Sequence, residues 1–147
     1  MIRIYTDGAT SNNGAANAPG GWAYAVIDEE DNLRYSSNGF INDATNNICE
    51  LMAIINACYA AEAINEQITI YSDSAYIINC YKDKWYKKWL VNGWKNSKKE
   101  PVANKELWEQ LIPYFENEKY NFIKVKGHAT DKWNILVDKL AVEAKNA

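Results

Sequence analysis

No stretch of this sequence approaches the roughly 18 consecutive apolar residues that a membrane-spanning helix requires. Nor does the start, Met1-Ile2-Arg3-Ile4-Tyr5, have the basic-then-apolar layout of a secretion signal. Cysteine is scarce. Cys49, Cys58 and Cys80 are odd in number and form no C-x-x-C pair, which argues against a disulfide framework or a zinc site and favours a reducing compartment, the cytoplasm. Histidine is scarcer still, with His128 alone. Repeats, low-complexity tracts and linker-like segments are missing. What remains, 147 residues that are 48% apolar and 24% charged, has the make-up of one globular domain over residues 1–147, large enough to bury a core.

Excess positive charge is also lacking, since the formal net charge is −3. That sum hides an asymmetry. Between Lys82 and Lys99 stand seven lysines and one acid, Asp83, so this segment carries +6 and the rest of the chain −9. A localised basic segment says more about partners than the total does.

Along the chain, Ile2 to Asp7 alternates as a strand and stops at Asp7-Gly8. Ala9 to Gly21 is rich in Asn, Gly, Ala and Ser and reads as a loop. Strands follow at Gly21–Ile27 and Leu33–Ile41 around a polar turn. Three strands with short connections imply an antiparallel meander. Thr45 is placed to cap a long helix in which Leu51, Ile54, Ile55, Cys58 and Ala61 recur at helical spacing up to Ile64. Gln67–Ser72 is a strand ending at Asp73, followed by a short helix over about 74–80. Asn104–Phe115 reads as a helix, Tyr120–Lys126 as a strand, and Trp133–Lys145 as a closing helix. Strand–helix–strand alternation calls for parallel pairing with right-handed crossovers. The expected α/β fold is a mixed five-stranded sheet, three antiparallel then parallel strands, flanked by helices.

The acids carry the chemistry. Glu50 sits at the margin of the long helix's apolar stripe, where a carboxylate costs stability unless it is neutralised. Asp7 and Asp73 stand at the carboxyl ends of strands, where sites form in open α/β sheets. Asp138 flanks the last helix's apolar stripe. Each has a bland alternative: a first-turn acid for Glu50, a turn for Asp7-Gly8, a helix cap for Asp73-Ser74, and a solvated position for Asp138. Jointly, four carboxylates gathered with His128 at one sheet edge would repel one another without cations, and an all-carboxylate set selects Mg²⁺ or Mn²⁺. Paired cations clamping a phosphodiester make a metal-dependent nuclease.

Five ordered blocks then carry a family resemblance over nearly the whole chain. They are Thr6-Asp7-Gly8; Thr45-Asn46-Asn47 with Glu50-Leu51-Met52-Ala53; Ser72-Asp73-Ser74 with Tyr76; Trp85, Trp89, Gly93-Trp94-Lys95, Pro101-Val102 and Asn104; and Val125-Lys126-Gly127-His128-Ala129 with Asn134, Asp138 and Leu140-Ala141. Together these resemble a type 1 ribonuclease H. The resemblance implies endonucleolytic cleavage of the RNA strand of an RNA–DNA hybrid, leaving 3′-hydroxyl and 5′-phosphate ends. It implies two Mg²⁺ ions, with Mn²⁺ as substitute, bridged by Asp7. Asp138 would help hold the ion at the attacking water, and Glu50 and Asp73 the ion facing the leaving oxygen. His128 would assist proton transfer or product release. Asn13, Asn46 and Asn47 match minor-groove contacts, with Glu50 a second reader of the 2′-hydroxyl. Thr45 and Asn104 match contacts to DNA phosphates. Trp85, Lys87, Lys88, Trp89, Trp94 and Lys95 match the segment that holds the DNA strand, with one of Trp85 and Trp89 expected to be structural. The partner is the hybrid duplex, with no membrane, and the protein is expected to be a monomer without a separate hybrid-binding domain.

Some positions depart from the pattern. Leu90-Val91-Asn92 interrupts the basic segment, Glu100 precedes Pro101, Asp43 stands where relatives carry arginine, and Ala75 and Ile135 replace polar residues. None removes an acid, but together they imply weaker, steeply salt-dependent hybrid binding. Three rivals are weighed. A non-catalytic hybrid-binding module has no need of four acids. An integrase-type enzyme fits the basic tryptophan segment poorly. A phosphatase would want an acid where Ala9 stands.

Overall fold

A computed structural model describes residues 1–125 and 131–147; His128 lies outside them. Five strands, β1 (Ile2–Thr10), β2 (Gly20–Ile27), β3 (Leu33–Ile41), β4 (Ile68–Ser72) and β5 (Tyr120–Lys124), form one sheet in the order β3-β2-β1-β4-β5. β1–β2 and β2–β3 are antiparallel, whereas β1–β4 and β4–β5 are parallel. The expected mixed sheet is therefore the observed one. Among the described residues five helices flank it: α1 (Asn46–Ala61), α2 (Ala75–Asp83), α3 (Trp85–Asn92), α4 (Lys105–Phe115) and α5 (Lys132–Lys145). No helix among the described residues is long and apolar enough to cross a membrane.

The two-residue period of a strand divides the core. Ile2 and Ile4 of β1 and Ile68 and Ile70 of β4 pack with Leu51, Ile54, Ile55 and Cys58 of α1 and with Trp108 and Leu111 of α4. Tyr5, Ala23, Ala25 and Ile27 turn to the other face and pack with Val137 and Ala141 of α5. α1 and α5 thus approach β1 from opposite sides.

One expectation is corrected. The loop read over Ala9–Gly21 is shorter, because β1 continues to Thr10 and pairs with Gly20. Gly14 keeps a turn role, with φ 82° and open space around it, but Gly20 and Gly21 are there for close approach. A Cβ on Gly20 would lie 2.4 Å from Ala44 Cβ and 2.6 Å from Cys49 Sγ, and one on Gly21 would lie 2.2 Å from Ala141 O. Gly20 lets α1 settle on the sheet, and Gly21 does the same for α5. Smaller differences lie at element ends: α1 stops at Ala61 rather than Ile64, and β5 stops at Lys124.

Candidate active site

The site forms where β1 and β4 part. Their pairing ends at Tyr5↔Tyr71, while β1 continues alongside β2 past Asp7↔Ala23. Asp7 and Asp73 each lie two residues beyond that last pair. By strand alternation Asp7 shares the face of Tyr5, the side covered by α5. Asp7-Gly8 is not a turn, since the strand runs straight through it. Nor does Asp73 cap α2: Ser74 does, its Oγ accepting from Ile77 N at 3.2 Å. The Asp73 carboxylate is left exposed at the strand–helix corner.

Glu50 comes from the opposite face. α1 is started by Thr45, whose Oγ1 accepts from Ile48 N at 3.1 Å. Glu50 then reaches across Gly8, where a side chain would block it. A Cβ at residue 8 would lie 2.6 Å from Cys49 Cβ and 2.7 Å from Glu50 Oε1. Through this opening one oxygen each of Asp7, Glu50 and Asp73 comes within 4.8 Å of the others. The structural role of Gly8 is not legible from the sequence, where D-G resembles a turn.

Electrostatically the cluster is unsatisfied. Both Glu50 oxygens are buried and neither has a hydrogen-bond partner among the described residues. Burial, followed by the Asp73 and Asp7 carboxylates, holds Glu50 well above the usual carboxylate range. Asp7 is pushed up to about 7, by burial first, then by Asp73 and Asp138, against the lowering effect of the Gly8 N–H that donates to it at 2.9 Å. Asp138, exposed on α5, is thus near enough to act on Asp7 while standing outside the tight trio. A buried carboxylate without such a hydrogen-bond partner, beside two others, suits a hard cation, and an oxygen-only set suits Mg²⁺ or Mn²⁺. The residues present fit such an ion.

The substrate candidates fall into two groups. Asn13 joins the start of α1, its Oδ1 accepting from Asn46 N at 2.9 Å, so Asn13, Thr45, Asn46 and Asn47 gather at one helix end. The same loop is laced to the preceding turn, where Asp43 Oδ1 accepts from Asn17 N at 2.6 Å. The second group is α3 and the turn after it. Trp89 is 6% exposed and packs its indole 5.3 Å from that of Trp108 and 5.8 Å from that of Trp94, so it belongs to the core. Trp85 and Trp94 are half-buried, and Lys87, Lys88 and Lys95 are exposed. Asn104 precedes α4 with φ 62°, its side chain making no cap hydrogen bond.

Similarity to known proteins agrees with this geometry. Residues 1–146 match the sequence profile of a family described as RNase H. The ribonuclease H of Syntrophomonas wolfei is 46% identical over 143 residues, covering 97% of this chain and 94% of that protein. That of Clostridium botulinum is 43% identical over 145 residues, again covering 97% and 94%. Among solved structures, LC9-RNase H1, described as a type 1 RNase H with the type 2 active-site motif, superposes with a TM-score of 0.82 at 25% identity, covering 99% of this chain and 72% of that one. LC11-RNase H1 in complex with an RNA/DNA hybrid has a TM-score of 0.71 at 23% identity, covering 99% and 97%, a likeness of fold.

Proposed function

Because the chain belongs to the ribonuclease H family, we propose that it cuts the RNA strand of RNA–DNA hybrids endonucleolytically, leaving 3′-hydroxyl and 5′-phosphate ends. One observation carries this reading: a buried Glu50 carboxylate with no hydrogen-bond partner among the described residues, held over Gly8 within 4.8 Å of Asp7 and Asp73. Asp7, Glu50, Asp73 and Asp138 would hold two divalent cations, Mg²⁺ with Mn²⁺ as substitute. When bound, these supply the charge that activates the attacking water and steadies the leaving 3′-oxygen.

The chain's own residues orient the duplex around that cluster. Glu50 lies one turn into α1 from Asn46 and Asn47, and Asn13 is tied to Asn46. This corner is suited to reading the RNA 2′-hydroxyl and the adjoining minor groove. Thr45, through the face its cap bond leaves free, and Asn104 suit DNA phosphates. The exposed Lys87, Lys88 and Lys95 attract the DNA backbone, while Trp85 and Trp94 offer half-exposed indoles to its sugars. Trp89 supports them from beneath. His128 is assigned proton transfer or product release by resemblance. Three buried free cysteines suit a reducing compartment, and we assign the enzyme to the cytoplasm.

The test is a panel of strand-labelled RNA–DNA, RNA–RNA and DNA–DNA duplexes, with and without Mg²⁺. The expected result is cutting of the RNA strand of the hybrid alone, and only with Mg²⁺. Equal cutting of all three duplexes, or cutting in chelator, would overturn the proposal.

A further inference from the structure

Away from the carboxylate cluster, the turn between β2 and β3 holds a side chain with three donors converging on it. Asp28 shapes this turn, its Oδ1 accepting from Glu30 N at 3.0 Å and from Asn32 N at 2.9 Å. The turn sets Asp31 in a left-handed conformation, φ 63°. Asp31 Oδ1 then accepts from Arg3 Nη2 at 2.6 Å and from Trp133 Nε1 at 2.7 Å, and its Oδ2 pairs with Lys132 Nζ at 2.8 Å. Lys132 and Trp133 are the first two residues of α5.

A second route joins the same places. Arg3 Nη1 donates to the Tyr5 hydroxyl at 3.1 Å, which in turn donates to Asp131 Oδ2 at 3.2 Å. Asp131 caps α5, its Oδ1 accepting from Trp133 N at 2.8 Å. Both routes start from Arg3 on β1 and end on the first turn of α5. Arg3, Tyr5 and Asp7 alternate onto one face of β1, and α5 packs against Tyr5. The strand that carries Asp7 is therefore keyed, by its own preceding same-face residues, to the helix that carries Asp138.

Ion pairs this exposed add little to stability, and α5 already buries Val137, Ala141 and Ala144. Short, directional contacts on a helix's first turn add geometry instead. They constrain the slide and rotation of α5, the helix that carries Asp138, along β1. We propose that Asp31 is a positioning residue for the reaction, setting Asp138 against the other three acids from outside the site. The proposal rests on Asp138 being part of the cation site.

Asp31→Ala and the same-sized Asp31→Asn are compared with wild type by calorimetric Mn²⁺ titration, thermal melting and hybrid cleavage. Groups that hydrogen-bond a metal ligand directly cost about ten- to hundredfold in affinity when removed, and Asp31, which acts through α5 instead, is placed at the low end of that range. Mn²⁺ affinity and kcat are each expected to fall about tenfold, with KM for the hybrid and the melting temperature nearly unchanged and Asp31→Glu recovering part of the loss. In an Asp138→Asn background, Asp31→Ala should leave Mn²⁺ affinity unaltered, since the group it positions is gone. Unchanged Mn²⁺ binding in Asp31→Ala, or the same loss with and without Asp138, overturns the inference. A wild type that binds Mn²⁺ but cuts no hybrid refutes the proposed function instead, and the Mn²⁺ comparison still decides the role of Asp31.

Discussion

At the scale of single residues, Glu50 ties burial to chemistry. Its awkward place at the edge of an apolar stripe is readable from the sequence, but the reason for it is not, because Asp7 and Asp73 are 43 and 23 positions away. The structure supplies the reason: the helix delivers to two other carboxylates one that has no hydrogen-bond partner among the described residues. This arrangement carries a definite pH signature. In the metal-free fold Asp7 holds its proton up to about 7, against an ordinary 3.8, and Glu50 is also raised. Below pH 4 folded and unfolded chains are both protonated at these groups, and no penalty arises. As pH rises, the unfolded chain releases its protons first, so stability falls across roughly pH 4 to 7, by an amount on the order of a few kcal/mol. Thermal melts of metal-free protein should therefore drop from pH 5 to pH 8, and Mg²⁺ should restore the loss at pH 8. Asp7→Asn should melt higher than wild type at pH 8 without metal while losing cleavage. A melting temperature that rises with pH across this window would contradict the charge arrangement.

At the scale of elements, the decisive contact is α1 against β1 at Gly8. Helix, strand and cap are largely legible in the sequence, since Thr45, the apolar spacing of α1 and the alternation of β1 and β5 are local signals. The loop expected over Ala9–Gly21 is shorter at both ends because β1 runs to Thr10 and β2 starts at Gly20, and Gly20 and Gly21, which read as loop residues, serve close packing. The pair Trp85 and Trp89 shows the same limit. Their i,i+4 spacing reveals a helix but not which indole faces the core, and burial assigns that place to Trp89. Gly8→Ala tests the contact, since its Cβ would fall 2.6 Å from Cys49 Cβ. α1 must shift outward, costing about 1–3 kcal/mol by analogy with other overpacked sites and displacing Glu50. Urea unfolding should report the destabilisation, and kcat should fall more steeply than hybrid affinity. A variant with wild-type kcat would show that Glu50 does not depend on this opening.

At the scale of the whole molecule, charge is segregated along the chain. A chain of net charge −3 concentrates seven lysines between Lys82 and Lys99, and the acids gather at the cleft between β1 and β4. That separation is legible in the sequence, as are the four acids in their order. The Asp31 clamp is not, because its partners Arg3, Lys132 and Trp133 stand far away in the sequence and match no motif. Hybrid binding measured without Mg²⁺ should weaken steeply with salt. Replacing Lys87 and Lys88 by alanine should flatten the slope of log affinity against log salt by somewhat under 2, about 0.7–0.9 for each phosphate no longer neutralised. An unchanged slope would remove the segment from the DNA interface. The central claim remains the donor-free carboxylate over Gly8, and its most direct test is cleavage of an RNA-labelled hybrid by wild type and by Glu50→Gln in Mg²⁺. The variant should melt no lower than wild type and cut at least about a thousandfold more slowly, a barrier increase of roughly 4 kcal/mol. A folded Glu50→Gln protein that cuts within tenfold of wild type would contradict it.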